Sequence, residues 1–360
     1  MKKNRTETLT PKERVYKAVH HQEADRVPID FDVSPSEELF SRLKKTLGTG
    51  TNEEVLRHLN IDLRNTVVFT SAGIPPEPMD NDRVMTAWGV PYHARYGTAV
   101  EHPLGAAVRF DQIDSYTFLD PDKVDYAGMH NLAESCGGYC VYGGYWSPIT
   151  YIAQNLVGMD RYMILFYEDP DLLDFLLDKI TDIALEVNKR IFSRLKDKMQ
   201  IFFMGDDYGT QENLLTSLEF WRSHIKPRIK RIIDLARNEG YMIQFHSCGC
   251  VAPLIPDFIE LGVQILNPVQ VSAKGMDLET LKSRFGGKIA FNGGIDTQEL
   301  LPFGTPAEVA EAAESTLKTA APGGGYVFAP SQSFLPEVPT ENILALYESA
   351  YSHAWYGKPS

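Results

Sequence analysis

His246 and Cys248 form an H-x-C pair, and imidazole with thiolate is a zinc-ligand combination. On extended backbone, residues i and i+2 face the same way with Cα atoms about 6.6 Å apart, so both side chains can reach one ion. Ser247 would then face away. A catalytic zinc keeps three protein ligands and one open position, and the third ligand is not set by this spacing. Cys250 lies two residues on but follows the flexible Gly249, and Gln332 is a poor zinc ligand. By spacing alone, such a pair is more often the polar rim of a turn. Asp206 and Asp207 are adjacent, so at a strand end they face opposite sides. The inward one can act as a general base, orient a substrate or tune a metal, while the other caps a helix or pairs with an arginine.

These residues need elements that bring them together. Short β-branched or aromatic runs at 139–145, 200–204, 241–246, 264–267, 289–292 and 326–329 alternate with longer helical stretches, and earlier candidates lie at 27–31 and 66–70. Asp169 and Pro170 open one helical run; Thr305, Pro306 and Glu308 give a cap, a first-turn proline and a capping-box glutamate for another. About eight strands in βα order predict a (β/α)8 TIM barrel, with an N-terminal extension and an excursion near residues 73–137 that covers one end. One barrel domain is expected to span 1–360. In that fold every polar strand ending lies at one mouth: Asp206, Asp207 and Tyr208; His246 and Cys248; Asn267 and Gln270; Asn292 and Asp296; Ser331 and Gln332. Any one of these turns can be polar merely to cap the following helix, but five together point to a site.

Composition narrows the function. Lys and Arg number 35 against 48 Asp and Glu, a net charge of −13, which disfavours nucleic acid and anionic membrane surfaces as partners. The opening residues lack an apolar signal core and no run is long enough to span a bilayer, so a cytoplasmic protein is expected. Four cysteines make no disulfide framework; Cys136 and Cys140 read as buried thiols. Dinucleotide-binding and P-loop glycine motifs, the G-x-S-x-G elbow and H-E-x-x-H are all missing.

From end to end the chain resembles the uroporphyrinogen decarboxylase superfamily, and in particular its branch of decarboxylase-like corrinoid-dependent methyltransferases. The resemblance is carried by T-P-K-E-R-V at 10–15, D-R-V-P-I at 25–29, G-D-D-Y-G-T-Q at 205–211, H-S-C-G at 246–249 and N-P-V-Q at 267–270. It continues in G-G-I-D-T-Q at 293–298 and G-G-G-Y-V-F-A-P at 323–330. It implies a barrel with its site at the C-terminal mouth and zinc held by His246 and Cys248. A further cysteine of the family, after the last strand, is replaced here by Gln332, which moves the last ligand to an oxygen, a nearby acid or Cys250. Asp206 and Asp207 are the expected catalytic acids, and Tyr208, Gln211, Asn267, Gln270, Asp296 and Gln332 the expected substrate contacts.

The implied activity is methyl transfer between a small methyl donor or acceptor and a corrinoid carried by a partner protein. The porphyrin decarboxylases carry arginines after the first strand, where this chain offers Asp30 and Asp32, and the strand endings supply acids but no Lys or Arg. A polycarboxylate porphyrin is therefore not the expected substrate. Decarboxylation of another acid and non-catalytic corrinoid or ligand binding are the alternatives.

Overall fold

The computed structural model describes residues 6–31, 35–69, 71–95 and 97–357; Asp32 and Thr70 lie outside them. The apolar runs form parallel strands β1 (Leu63–Val68), β6 (Cys140–Tyr145), β7 (Ile201–Gly205), β8 (Met242–His246), β9 (Ile265–Val269), β10 (Ala290–Ile295) and β11 (Tyr326–Pro330), paired in that order. The expected stave at 27–31 completes the ring, held by one parallel bridge from Ile29 to Phe328 rather than a full ladder. Asp30 N–H donates to Phe328 O, Phe328 N–H to Pro28 O, and on the other side Asp62 N–H to Ile29 O. Eight staves therefore close a (β/α)8 barrel.

Strand β1 begins earlier than the run expected at 66–70 because polar residues can occupy its start. Arg64 lies on the outer side, buried against Tyr139 with its guanidinium 3.5 Å from the ring centroid and paired to Glu53 at 2.7 Å. Inside the ring, Leu63, Cys140, Tyr142, Ile201, Phe203, Ile265, Ala290 and Val327 pack into one cluster, and helix Pro11–Val19 plugs its base with Val15 and Val19. Alternation along each strand puts these residues inward.

Outside, helix Pro170–Leu195 starts with the Asp169 carboxylate accepting from Leu172 N–H, and it buries Leu172, Leu173, Leu176, Leu177 and Ile180 on one stripe. Thr305 and Glu308 form the expected capping box of helix Pro306–Ala320. The excursion carries a small antiparallel sheet of β2 (Glu77–Pro78), β3 (Arg83–Met85), β4 (Pro91–His93) and β5 (Thr98–Ala99). Tyr92 of β4 meets Tyr151 of helix Ile149–Val157, the helix that follows β6, with the two hydroxyls 3.4 Å apart. Among the described residues, no helix is long and apolar enough to cross a membrane.

Candidate metal centre

His246 ends β8 with its ring inside the barrel and Cys248 follows on the loop, so strand parity brings both to one point. Cys248 Sγ stands 3.5 Å from His246 Nε2, and Asp207 Oδ1 stands 3.7 Å from the same nitrogen. The three ligand atoms all lie within 4.8 Å of one another. Zinc–ligand bonds of roughly 2.0–2.3 Å put tetrahedral ligand atoms roughly 3.3–3.8 Å apart, so the two separations from His246 Nε2 match that ion. Asp207 also accepts the Cys248 N–H at 2.8 Å, which ties the two strand-end loops together.

Two alternative third ligands are turned away. Gln332 Nε2 donates to Cys248 Sγ at 3.2 Å while its Oε1 accepts Ser333 N–H at 3.0 Å, so its amide acts on the sulfur as a donor. Cys250 is buried outside the triad, its N–H given to Thr210 O. Burial, with the Asp207 carboxylate alongside, pushes the Cys248 thiol well above its usual range; the Gln332 donor pulls it back in part.

Asp206 and Asp207 diverge. Asp206 is buried and serves as an acceptor at the start of helix Ile149–Val157, taking Thr150 N–H at 2.5 Å, Thr150 Oγ1 at 2.7 Å and Tyr151 N–H at 3.2 Å. Of the two expected catalytic acids, Asp206 faces the helix, and Asp207 faces the pocket. Burial pushes the Asp206 carboxyl up to about 7, against those three hydrogen bonds.

The pocket in front of the triad has a volume of about 450 Å³ and is lined by Asp207, Thr210, Gln211, Cys248, Gln270, Thr297, Gln298, Gln332 and Leu335 among others. Three expected substrate contacts therefore sit on its wall: Gln211, Gln270 and Gln332. Three do not. Tyr208 is buried against Trp221 and Phe245. Asp296 is spent on the N–H groups of Gln298 and Glu299, both at 2.7 Å. Asn267 lies beneath the triad, where its Oδ1 meets His246 Nδ1 at 2.7 Å and its Nδ2 donates to Asn292 Oδ1 at 2.8 Å. Asn292 Nδ2 in turn donates to Asp30 Oδ2 at 3.0 Å. Sequence reasoning missed this buried chain. The signal was present in the inward parity of Asn267 and Asn292, but a strand-end amide looks the same whether it meets a ligand or a neighbouring strand.

A closed barrel with an amide-lined pocket and a His–Cys–Asp triad at its C-terminal mouth places the chain among the barrel proteins whose site is built on strand ends. More narrowly, the uroporphyrinogen decarboxylase (URO-D) family model matches residues 10–353, and the chain belongs to that family. It is 24% identical over 315 residues to a uroporphyrinogen decarboxylase of Magnetococcus marinus, covering 83% of this chain and 81% of that one. To the uroporphyrinogen decarboxylase of Anaeromyxobacter dehalogenans it is 26% identical over 215 residues, 59% of this chain and 58% of the relative. Among solved structures, a methyltransferase from Methanosarcina mazei superposes with a TM-score of 0.66 at 21% identity, over 95% of this chain and 98% of the other, a likeness of fold.

Proposed function

We propose that this chain is a methyltransferase that moves a methyl group between a small donor or acceptor and a corrinoid carried by a separate protein, with zinc held by Asp207, His246 and Cys248. The observation that carries the reading is the triad, in which Cys248 and Asp207 stand at tetrahedral spacing from His246 and line one pocket. Zinc there supplies Lewis acidity at neutral pH, and the corrinoid supplies or receives the methyl group. The chain's own residues do the holding. His246 offers Nε2, Cys248 its sulfur and Asp207 its Oδ1, while Gln332 donates to that sulfur and tempers its charge. Gln211 and Gln298 present side-chain amides to the pocket, suited to orienting a small polar molecule. Among the described residues no Lys or Arg lines this pocket, which favours methyl transfer over turnover of a porphyrin with many carboxylates. The fold likeness to the Methanosarcina mazei methyltransferase supports the same reading.

The test is metal content and methyl transfer together. Protein expressed with zinc supplied is expected to carry about one zinc per chain, lost in His246→Ala and Cys248→Ala, and to demethylate methylcobalamin in the presence of a small thiol. Metal-free protein that decarboxylates uroporphyrinogen under anaerobic reducing conditions would overturn it.

A further inference from the structure

Four buried side chains on four staves run hydrogen-bonded around the inside of the barrel, from His246 on β8 through Asn267 on β9 and Asn292 on β10 to Asp30 on the closing stave. The end that decides their direction is Asp30. Both of its oxygens accept, Oδ2 from Asn292 Nδ2 at 3.0 Å and Oδ1 from Phe31 N–H at 2.9 Å. Asn292 must therefore turn its Nδ2 toward Asp30, which leaves its Oδ1 for Asn267. Asn267 must then give its Nδ2 to Asn292 and keep Oδ1 for His246. An amide oxygen cannot donate, so His246 Nδ1 carries the hydrogen, and in the neutral ring Nε2 keeps its lone pair. Running the chain the other way would set Asn292 Oδ1 against the Asp30 carboxylate, two acceptors about as close as a hydrogen bond allows, in the low-dielectric interior of the barrel.

We infer that Asp30, three hydrogen bonds away from the imidazole, is the positioning residue that fixes the His246 tautomer and so aims Nε2 at Cys248 and Asp207. The inference deepens the proposed function, since it assigns how the metal centre is made ready. Its first readout, however, needs no metal. An outer partner that orients a ligating imidazole is worth roughly 10- to 100-fold in metal affinity, and here that influence is relayed through two amides. Asp30 touches none of the three ligands, so its loss reaches them through the chain.

The experiment uses full-length protein. Two-bond ¹H–¹⁵N NMR on ¹⁵N-histidine-labelled, metal-free protein, with the His246 signal assigned by its loss in His246→Gln, is expected to show Nδ1 protonated. Asp30→Asn removes the acceptor-only end, and is expected to admit the Nε2-protonated form and weaken Zn²⁺ binding, read by competition with a chromogenic chelator, by about tenfold or more. The double variant Asp30→Asn with Asn267→Asp sets a carboxylate directly under His246; Asn292 can then turn over and accept from the amide installed at position 30, and both tautomer and Zn²⁺ affinity are expected to return. A wild-type His246 protonated on Nε2 would overturn the inference, and that measurement stands even where Asp30→Asn does not fold. So would an Asp30→Asn protein with unchanged tautomer and affinity, or a folded double variant no better than the single one, which would make Asp30 merely structural. Wild-type protein that takes up no Zn²⁺ yet shows Nδ1 protonated would sink the metal centre while supporting the relay.

Discussion

Burial of its sulfur and the neighbouring Asp207 carboxylate hold the Cys248 thiol well above the usual range. Without a metal it stays protonated at neutral pH, and zinc uptake has to release that proton. The expected outcome is a zinc affinity that rises about tenfold for each pH unit across the neutral range, because one proton leaves per ion bound. Competition titrations at several pH values check this, and Cys248→Ala should remove the slope with most of the affinity. Asp206 gives a prediction of the opposite kind. Its carboxyl titrates near 7 in the fold against an ordinary 3.8, so its contribution to stability is full below the lower value and is lost as pH rises through the higher. Asp206→Asn keeps one acceptor but sets an amide N–H against the helix-start donors, at a cost of about 1–3 kcal/mol. Urea unfolding at pH 5 and pH 8 should show a wider gap between wild type and variant at pH 5.

At the level of elements, the mouth is built by pressing two strand-end loops together backbone to backbone. Gly249 has φ of 84°, and a Cβ there would lie 2.6 Å from Gly209 backbone atoms; Gly209 is hemmed in by Cys248 and Cys250 in return. Cys250 N–H to Thr210 O at 2.7 Å and Tyr208 N–H to Ser247 Oγ at 3.0 Å lock the same contact. Gly249→Ala is therefore strained both in φ and in space, and is expected to separate the loops that carry Asp207 and Cys248. Zinc affinity should drop at least tenfold with a smaller loss in melting temperature, measured by chelator competition and calorimetry. These loops also show what the sequence could disclose. The H-x-C parity, the helix caps at Asp169 and Thr305 and the polar strand endings were legible because each depends on neighbours a few residues away. The fates of Asp206, Asp296 and Asn267 were not, because which donor meets a strand-end carboxylate or amide is decided by the register of the next strand or the start of the next helix. Asp207 as a partner of His246 and Cys248 became visible only when β7 and β8 were laid side by side, with Gly205 paired to His246.

For the whole molecule, the barrel closes at the stave of residues 27–31, which among the described residues pairs with β11 through one bridge and meets β1 through Asp62. Asp62 reinforces that seam from both its backbone and its side chain. Its N–H donates to Ile29 O and its Oδ2 accepts Ile29 N–H, both at 2.8 Å, while Arg14 and Arg26 each reach its carboxylate at 2.6 Å. All three charged side chains are almost fully buried, so removing the acid takes a close partner from two buried guanidinium groups, leaving Arg14 to Asp25 and Glu7 and Arg26 to Glu7. Asp62→Ala is expected to cost up to about 3–5 kcal/mol in urea unfolding, the range for breaking a buried ion pair from one side, eased by the acids that both arginines keep. The position of Asp30, next to Ile29, adds a second consequence. A seam loosened at Ile29 moves the acceptor end of the chain that leads through Asn292 and Asn267 to His246. Folded Asp62→Ala protein should therefore also bind Zn²⁺ more weakly, whereas a variant that removes a surface ion pair such as Arg109 with Asp111 should change neither quantity. Comparing unfolding free energy with chelator-measured affinity in the two variants separates the cases; an Asp62→Ala protein destabilised as expected but unaltered in Zn²⁺ affinity would show that barrel closure and the metal centre are independent.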